Sequence, residues 1–220
     1  MTARQRLDEP TNFLYPFIDG DENDSAALLT DLAQSAAMKA TESAALRRTT
    51  LESCSTLIET AAAELARRFA AGGRLFTFGN GGSSTDAATL AALFAQPPAG
   101  RPLPAWSLTA DQAVLTALGN DVGFDLVFAR QLIARAQATD IAIAMSTSGN
   151  SADLLLAMHE AHGRGLYTIG FTGYDGGAFA ANPDVDVCFV VRSQSVHRIQ
   201  ESQALLGYQL WSTVQAQKGL

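Results

Sequence analysis

The stretch of residues 74–94 constrains the fold most, because it predicts a strand, a glycine-rich turn and a helix in direct succession. Residues 74–78 are short and apolar, as expected of a strand buried inside a sheet. The turn at 79–82 holds three glycines, which permit tight turns and let backbone N–H groups approach a ligand. Because the start of a helix carries free N–H groups and the positive end of the helix dipole, this turn predicts an anion site, most often for phosphate.

A second stretch repeats the same arrangement. The apolar strand Ile141 to Met145 runs into Ser146-Thr-Ser-Gly-Asn-Ser151, and a helix is predicted from about Asp153. Hydroxyl side chains and a glycine between a strand and a helix can surround phosphate oxygens with side-chain and backbone donors. Two such loops in one chain favour a phosphate or phosphosugar site over a pair of ordinary turns.

Strand and helix patterns alternate along the chain, which is typical of a parallel sheet with helices on both faces. Five strands are predicted, at about 74–78, 106–109, 141–145, 166–172 and 185–191. Helices are predicted between them, at 111–118, 124–136 and 153–163, and one long helix from about residue 195 to the end. The predicted fold class is therefore α/β, a three-layer sandwich around a central five-stranded parallel sheet.

Two amphipathic helices are predicted before the first strand, at 25–47 and from about 51 to 71. Thr49 and Thr50 interrupt the apolar pattern between them, and Gly72-Gly73 ends the second helix. Residues 1–22 are polar and irregular apart from an apolar island at 13–18. These features predict an N-terminal helical extension, residues 1–48, followed by the main domain, residues 49–220.

Composition excludes several classes of protein. The net charge of −7 disfavours direct binding of nucleic acid or of an anionic membrane, although it leaves room for a local phosphate pocket. No signal peptide and no membrane-spanning run is recognised, so we expect a cytoplasmic protein. The two cysteines, Cys54 and Cys188, lack the spacing of a metal site and are expected to be buried free thiols.

The two loops together make the sequence resemble the SIS (sugar isomerase) domain, and in particular its phosphoheptose isomerase branch, which includes the DnaA initiator-associating proteins. The motifs that carry the resemblance run in family order from about residue 50 to the end of the chain. They are Gly79-Asn-Gly-Gly-Ser83 with Asp86-Ala87, Gly119-Asn-Asp-Val-Gly-Phe124, Ser146-Thr-Ser-Gly-Asn-Ser151, Thr172-Gly-Tyr-Asp-Gly-Gly177 and Arg198-Ile-Gln-Glu201.

The resemblance implies an SIS domain over residues 49–220 and a homotetramer in which the N-terminal helices form a bundle; the alternative is that these helices cover the core of one subunit. It also implies a set of substrate- and phosphate-binding residues: Asn80, Gly81, Ser83, Asp121, Ser146, Thr147, Ser148, Ser151 and Gln200. Plainer roles remain open for some of them, since Ser151 could serve only as a helix cap and Asp121 only as a turn residue. Asp86 is expected to cap or brace the helix after the first loop.

The resemblance implies a zinc site, which phosphoheptose isomerases build from a His and a Glu on the helix after the glycine-rich loop and from a Gln and a His on the C-terminal helix. In this chain those positions fall on Thr89, Leu93, Gln200 and Tyr208. Threonine, leucine and tyrosine do not rebuild a His/Glu zinc site, so no metal and no other cofactor is expected. The remaining candidates for proton transfer are His197, which stands where the family has an Asp, and Tyr208.

Three functions follow from these observations. The first is a phosphosugar-binding SIS protein, similar to sedoheptulose 7-phosphate isomerase, that lacks most of the zinc and catalytic residues. The second is an active isomerase of that sugar with His197 and Tyr208 in unconventional roles. The third is a protein-binding adaptor like the DnaA initiator-associating proteins. The missing His and Glu favour the first and third, and the two hydroxyl-rich loops favour the first.

Overall fold

The computed structural model of the chain describes residues 25–217. Its elements in chain order are α1 (Ser25–Ala70), β1 (Leu75–Gly79), α2 (Gly82–Ala95), β2 (Ala105–Ser107), α3 (Gln112–Asp121), a 3₁₀ turn (Phe124–Leu126), α4 (Val127–Arg135), β3 (Ile141–Met145), α5 (Ala152–Gly163), β4 (Tyr167–Gly173), α6 (Gly177–Ala181), β5 (Val187–Val191) and α7 (Val196–Gln215).

The five strands form one parallel sheet in the order β2-β1-β3-β4-β5. Successive residues of a strand point to opposite faces. On one face Leu75, Ile141 and Ile143 pack in a cluster with side chains of α1, α2 and α7. On the other face Phe76, Phe78 and neighbouring side chains pack against α4 and α5. The predicted three-layer α/β sandwich is confirmed.

The start of β1 is fixed to the start of β3 by an ion pair. The carboxylate of Asp140 is almost fully buried and lies 2.8 Å from the guanidinium of Arg74. The same carboxylate accepts hydrogen bonds from the backbone N–H groups of Arg74 and Gln137, both at 2.8 Å. These contacts hold β1 and β3 together at the amino ends of the strands.

The prediction of two separate helices before the first strand is wrong, because α1 is continuous from Ser25 to Ala70. The hydroxyl of Thr49 donates to the carbonyl of Ala45 at 2.7 Å, and the side chain of Thr50 is buried. A threonine whose hydroxyl bonds back to the preceding turn is compatible with a helix interior, so the interruption of the apolar pattern does not break the helix.

By packing, residues 43–217 form one compact unit, and the described residues 25–42 belong to a unit of their own. The proposed division at residue 48 and the role of the N-terminal extension in oligomerisation stay predictions, and residues 1–24, with their apolar island, lie outside the described residues.

Cys54 is buried and Cys188 half-buried, and both are free thiols. No helix of the described chain is long and apolar enough to cross a membrane.

Candidate functional site

The two hydroxyl-rich loops leave the sheet side by side. β1 has β2 on one side and β3 on the other, and Gly79, the last residue of β1, pairs with Met145, the last residue of β3. In open α/β sheets ligands bind where the connections from neighbouring strands diverge in this way, outside the carboxyl ends of the strands. The loops at 80–81 and 146–151 therefore border the place where the topology puts a ligand.

A side-chain contact ties one loop to the helix that follows the other. The amide Nδ2 of Asn80 donates to both carboxylate oxygens of Asp153, at 3.0 and 2.9 Å. Asp153 is buried at the first turn of α5, and burial raises the pKa of its carboxyl while the bonds from Asn80 lower it less. Since this amide group is bonded to Asp153, Asn80 serves here to fix the spacing of the loops, in addition to any contact with a ligand.

The loop after β1 places the start of α2 at the site. Gly81 precedes the helix with φ of 53°, a left-handed conformation that favours glycine. Its carbonyl accepts a hydrogen bond from the hydroxyl of Ser84 at 2.7 Å, and Ser83 is buried behind the turn. The N–H of Ser84 donates to the carbonyl of Gly81 at 3.0 Å. The N–H groups of Gly82 and Ser83, which begin the helix, have no carbonyl within it to bond to and are available to an anion.

The loop after β3 is held by its own hydroxyl groups. The Oγ of Ser146 accepts a hydrogen bond from the N–H of Gly149 at 3.0 Å, and the Oγ of Ser148 accepts one from the N–H of Asn150 at 3.3 Å. Ser151 is the N-cap residue of α5, but its side chain makes no capping hydrogen bond in the described chain. The hydroxyl hydrogens of Ser146 and Ser148 remain free to donate, and the Ser151 hydroxyl is not used to cap the helix.

The short helix α6, which was not predicted from the sequence, forms hydrogen bonds with this loop. The N–H of Ala178 in α6 donates to Oδ1 of Asn150 at 2.8 Å, and the N–H of Phe179 donates to the carbonyl of Gly149 at 3.2 Å. Gly149 has φ of 67°, and an added Cβ would lie 2.6 Å from the carbonyl oxygen of Gly176. The backbone of the loop is thus set by packing against the segment that leads into α6.

An open depression of about 480 Å³ lies between α2 and α7. It is lined by Gly82, Thr85, Asp86, His197, Gln200, Glu201 and Ala204. His197 is exposed at the start of α7, whereas Gln200 is half-buried and lies against the start of α2, where its Nε2 would be 2.5 Å from a Cβ at Gly82. The structure therefore brings His197 and Gln200 to the same side of the first loop.

A small cavity of about 60 Å³ adjoins this depression. Its lining consists of Asp86, Thr89, Leu90, Leu93, Met145, Gln203, Ala204, Gly207 and Tyr208. Three positions that the family resemblance assigns to zinc, those of Thr89, Leu93 and Tyr208, thus face one space, with Gln200 in the adjoining depression. A hydroxyl, an apolar side chain, a phenol and an amide do not fit a zinc ion, which prefers imidazole, thiolate and carboxylate ligands. Within residues 25–217 no group of three or more His, Cys, Asp and Glu side chains could hold a metal ion.

Asp86 was predicted only to cap or brace the helix after the first loop and was not counted among the binding residues. It lines both the depression and the small cavity, and its Oδ2 is buried with no hydrogen-bond partner among the described residues. Burial raises the pKa of the Asp86 carboxyl, and the side chain of Gln200 offsets part of that rise. Because α2 begins at Gly82, Asp86 stands one turn inside the helix and is not its cap. The signal in the sequence was its place in the Asp86-Ala87 motif that follows the first loop.

Of the other predicted residues, Asp121 stands apart from these cavities and Tyr208 borders one of them. Asp121 is the last residue of α3 and is exposed, and its carboxylate accepts a hydrogen bond from the neighbouring Asn120 at 2.7 Å. Tyr208 borders the small cavity but is 50% exposed, and its ring packs on Trp211 at a centroid distance of 5.4 Å. Asp121 thus contacts its neighbour in the sequence, and its predicted contact with substrate stays a prediction, whereas Tyr208 lies at the mouth of the small cavity.

The comparisons with known proteins agree with this geometry. The family profile described as the SIS domain matches residues 40–173. The chain therefore belongs to the SIS domain family. Within that family it is a phosphosugar isomerase-like protein of the phosphoheptose isomerase branch, as the resemblance predicted. It is 41% identical over 179 residues to a phosphoheptose isomerase of Solidesulfovibrio magneticus, covering 79% of this chain and 84% of that protein.

Solved structures give the same result. Phosphoheptose isomerase GmhA from Neisseria gonorrhoeae superposes with a TM-score of 0.77 at 34% identity, covering 83% of this chain and 98% of that one. A phosphoheptose isomerase from Francisella tularensis superposes with a TM-score of 0.73 at 29% identity, covering 84% of this chain and 98% of that one. The fold and its connections are thus those of phosphoheptose isomerases.

Proposed function

We propose that this protein binds a sugar phosphate, of the class of sedoheptulose 7-phosphate, at the carboxyl ends of β1 and β3. The observation that carries the proposal is the pairing of Gly79 with Met145, which sets the glycine-rich loop and the Ser/Thr loop at one place. The phosphoryl group is bound by the N–H groups at the start of α2 and by the hydroxyls of Ser146, Ser148 and Ser151. The relatives named phosphoheptose isomerase support a phosphosugar as the ligand.

We further propose that the chain does not carry out zinc-dependent isomerisation. Moving a proton between two adjacent carbons requires a base and an acid or metal at the reacting atoms. The side chains of Thr89 and Leu93 face the small cavity and offer neither a carboxylate nor an imidazole. Binding without turnover by zinc chemistry is the function that this set of side chains supports best.

Thermal denaturation in the presence of ligands tests the first proposal. Inorganic phosphate and sedoheptulose 7-phosphate should each raise the melting temperature, since a ligand at a hundredfold its Kd stabilises a protein by about 2.7 kcal/mol. The effect should shrink in Ser148→Ala. It should persist in Ser55→Ala, where an exposed hydroxyl on α1 only bonds back to the carbonyl of Glu52. If no phosphorylated ligand shifts the melting temperature, the adaptor role replaces the binding role.

Active isomerisation remains the second candidate, because the curated relatives at about 41% identity are named as isomerases. In that case His197 and Tyr208, which border the depression and the small cavity, are the residues to substitute. Incubation of the protein with sedoheptulose 7-phosphate, followed by separation of the sugar phosphates, distinguishes the two. Bound zinc at one per chain together with conversion of the sugar would refute the proposal of binding alone.

A further inference from the structure

The walls of the small cavity between α2 and α7 are mostly apolar, and its polar residues are Asp86, Thr89, Gln203 and Tyr208. Besides Oδ2 of Asp86, the Oε1 of Gln203 is buried with no hydrogen-bond partner in the part of the chain that the structure describes. The side chain of Gln203 is 0% exposed. The hydroxyl of Thr89 donates to the carbonyl of Thr85 at 2.9 Å, so what it offers the cavity is lone pairs.

The orientation of Gln203 is determined by its other contact. Its Nε2 donates to the carbonyl oxygen of Ser146 at 2.6 Å. Because a carbonyl oxygen accepts only from the NH₂ end of an amide, Oε1 is the end left over. The same bond connects α7 to the first residue of the Ser/Thr loop, and Met145, immediately before that loop, lines the cavity. The cavity therefore lies directly behind the proposed phosphate site.

A buried acceptor without a partner costs about 1–3 kcal/mol, and a donor bound in the cavity that both side chains line would offset that cost. A volume of about 60 Å³ holds a water molecule or a hydroxymethyl group. Oxygen lone pairs and a carboxylate repel a phosphate or another anion. The chemistry of the cavity therefore selects a small group that donates hydrogen bonds.

We propose that Asp86 and Gln203 form a hydroxyl-binding subsite, which takes a hydroxyl group of the sugar chain while the phosphoryl group lies on the two loops. The inference rests on the proposed phosphosugar binding and adds the orientation of the ligand. Asp86 borders the depression as well as the cavity, so a sugar chain lying in the depression reaches its carboxylate. Ligands with a polyhydroxy chain are favoured over short phosphate esters.

Small residues keep the space open. The position of Gly207 allows α7 to approach α2 closely, and a Cβ there would lie 3.1 Å from Cδ1 of Leu90. The substitution Gly207→Ala adds a methyl group at the lining of the cavity and leaves both acceptors in place. It therefore reduces the space for a hydroxyl group by a route that does not alter Asp86.

Calorimetric titration of the full chain with three probes tests the subsite: sedoheptulose 7-phosphate, glycerol 3-phosphate and inorganic phosphate. Asp86→Ala should weaken binding of the seven-carbon sugar on the order of tenfold to a hundredfold, the effect of losing a hydrogen bond to a charged acceptor. Gly207→Ala should weaken it in the same direction. Binding of inorganic phosphate and of glycerol 3-phosphate should be unchanged in both variants.

The matched control is Asp184→Ala, which removes a carboxylate that pairs with His159 at 2.9 Å before β5, at the amino ends of the strands. It should bind all three probes as the unaltered chain does. If the unaltered chain binds the sugar phosphate and both cavity variants bind it equally well, the subsite is refuted and the proposed function stands. If the unaltered chain binds none of the probes, the proposed function itself fails.

Discussion

The ion pair between Arg74 and Asp140 leads to a prediction about the stability of the fold. Asp140 is 1% exposed, and its carboxylate receives two hydrogen bonds from the Arg74 side chain and two from backbone N–H groups. In Asp140→Asn one carboxylate oxygen becomes an NH₂ group that faces donors, and the guanidinium loses its counter-charge. Breaking a buried pair in this way costs about 3–5 kcal/mol.

A loss of that size is a large part of the stability of a typical domain, which is about 5–15 kcal/mol. For a chain of this length it corresponds to a fall of about 6–20 °C in Tm. Urea unfolding followed by circular dichroism, at one fixed protein concentration, gives the free energy of unfolding for both chains. The concentration is fixed because any oligomer would make the stability depend on it.

The control is the same substitution at an exposed site. Asp111 caps α3 by accepting a hydrogen bond from the N–H of Val114 at 3.1 Å, and asparagine caps a helix about as well as aspartate. Asp111→Asn should therefore change the free energy of unfolding by less than about 0.5 kcal/mol. A loss below about 1 kcal/mol in Asp140→Asn would refute the argument that this pair holds β1 and β3 together.

Three further predictions follow from single positions. Gly149→Ala should destabilise the chain by about 2 kcal/mol or more in urea unfolding, because its φ of 67° is left-handed and the new Cβ would lie 2.6 Å from a backbone carbonyl oxygen. The control is Gly163→Ala, whose Cβ would meet no atom within 4 Å and which should leave the free energy of unfolding unchanged. Gly82→Ala should leave the fold intact but displace the Gln200 amide, and so weaken sugar phosphate binding in calorimetry. The pKa of Glu64 is lowered to about 2, first by its hydrogen bond to an arginine, so the stabilisation from this ion pair is present above about pH 4.5 and is lost as the pH falls toward about 2. A surface pair contributes about 1 kcal/mol, and the difference in the free energy of unfolding between the unaltered chain and Glu64→Gln should shrink over that range in pH-dependent unfolding. A difference that stays constant with pH would contradict this prediction.

Much of the fold could be predicted because the strands are apolar on both faces and end in polar or glycine-rich loops. The strand Ile141–Met145 was predicted at its observed bounds, since all five of its residues are buried and Ser146 follows directly. α6 was missed because a five-residue helix between glycines and Asn182 has too few residues to show a period. The break expected at Thr49 failed because the hydroxyl bonds to its own helix.

The site could be predicted only in part. The loops were identified by glycine and hydroxyl composition, and their meeting follows from the order of the strands, which a single sequence does not display. Asp86 stands out because one of its carboxylate oxygens has no hydrogen-bond partner among the described residues. Gln203 stands out because its NH₂ group is bonded to Ser146 and its amide oxygen is left without a partner there. Such leftover atoms arise from packing between α2 and α7, two helices about a hundred residues apart in the chain.

The hydrogen bonds from Asn80 to Asp153 join the loop after β1 to the helix that follows β3, and a bound ligand would connect the same two parts of the sheet. A ligand that contacts both loops adds a connection between β1 and β3, since these strands cannot separate unless the ligand first loses its contacts with one of the loops. Its free energy of binding is then added to the cost of separating β1 from β3. Saturation with sugar phosphate should therefore slow amide hydrogen exchange at the centre of the sheet, well away from the atoms that the ligand contacts.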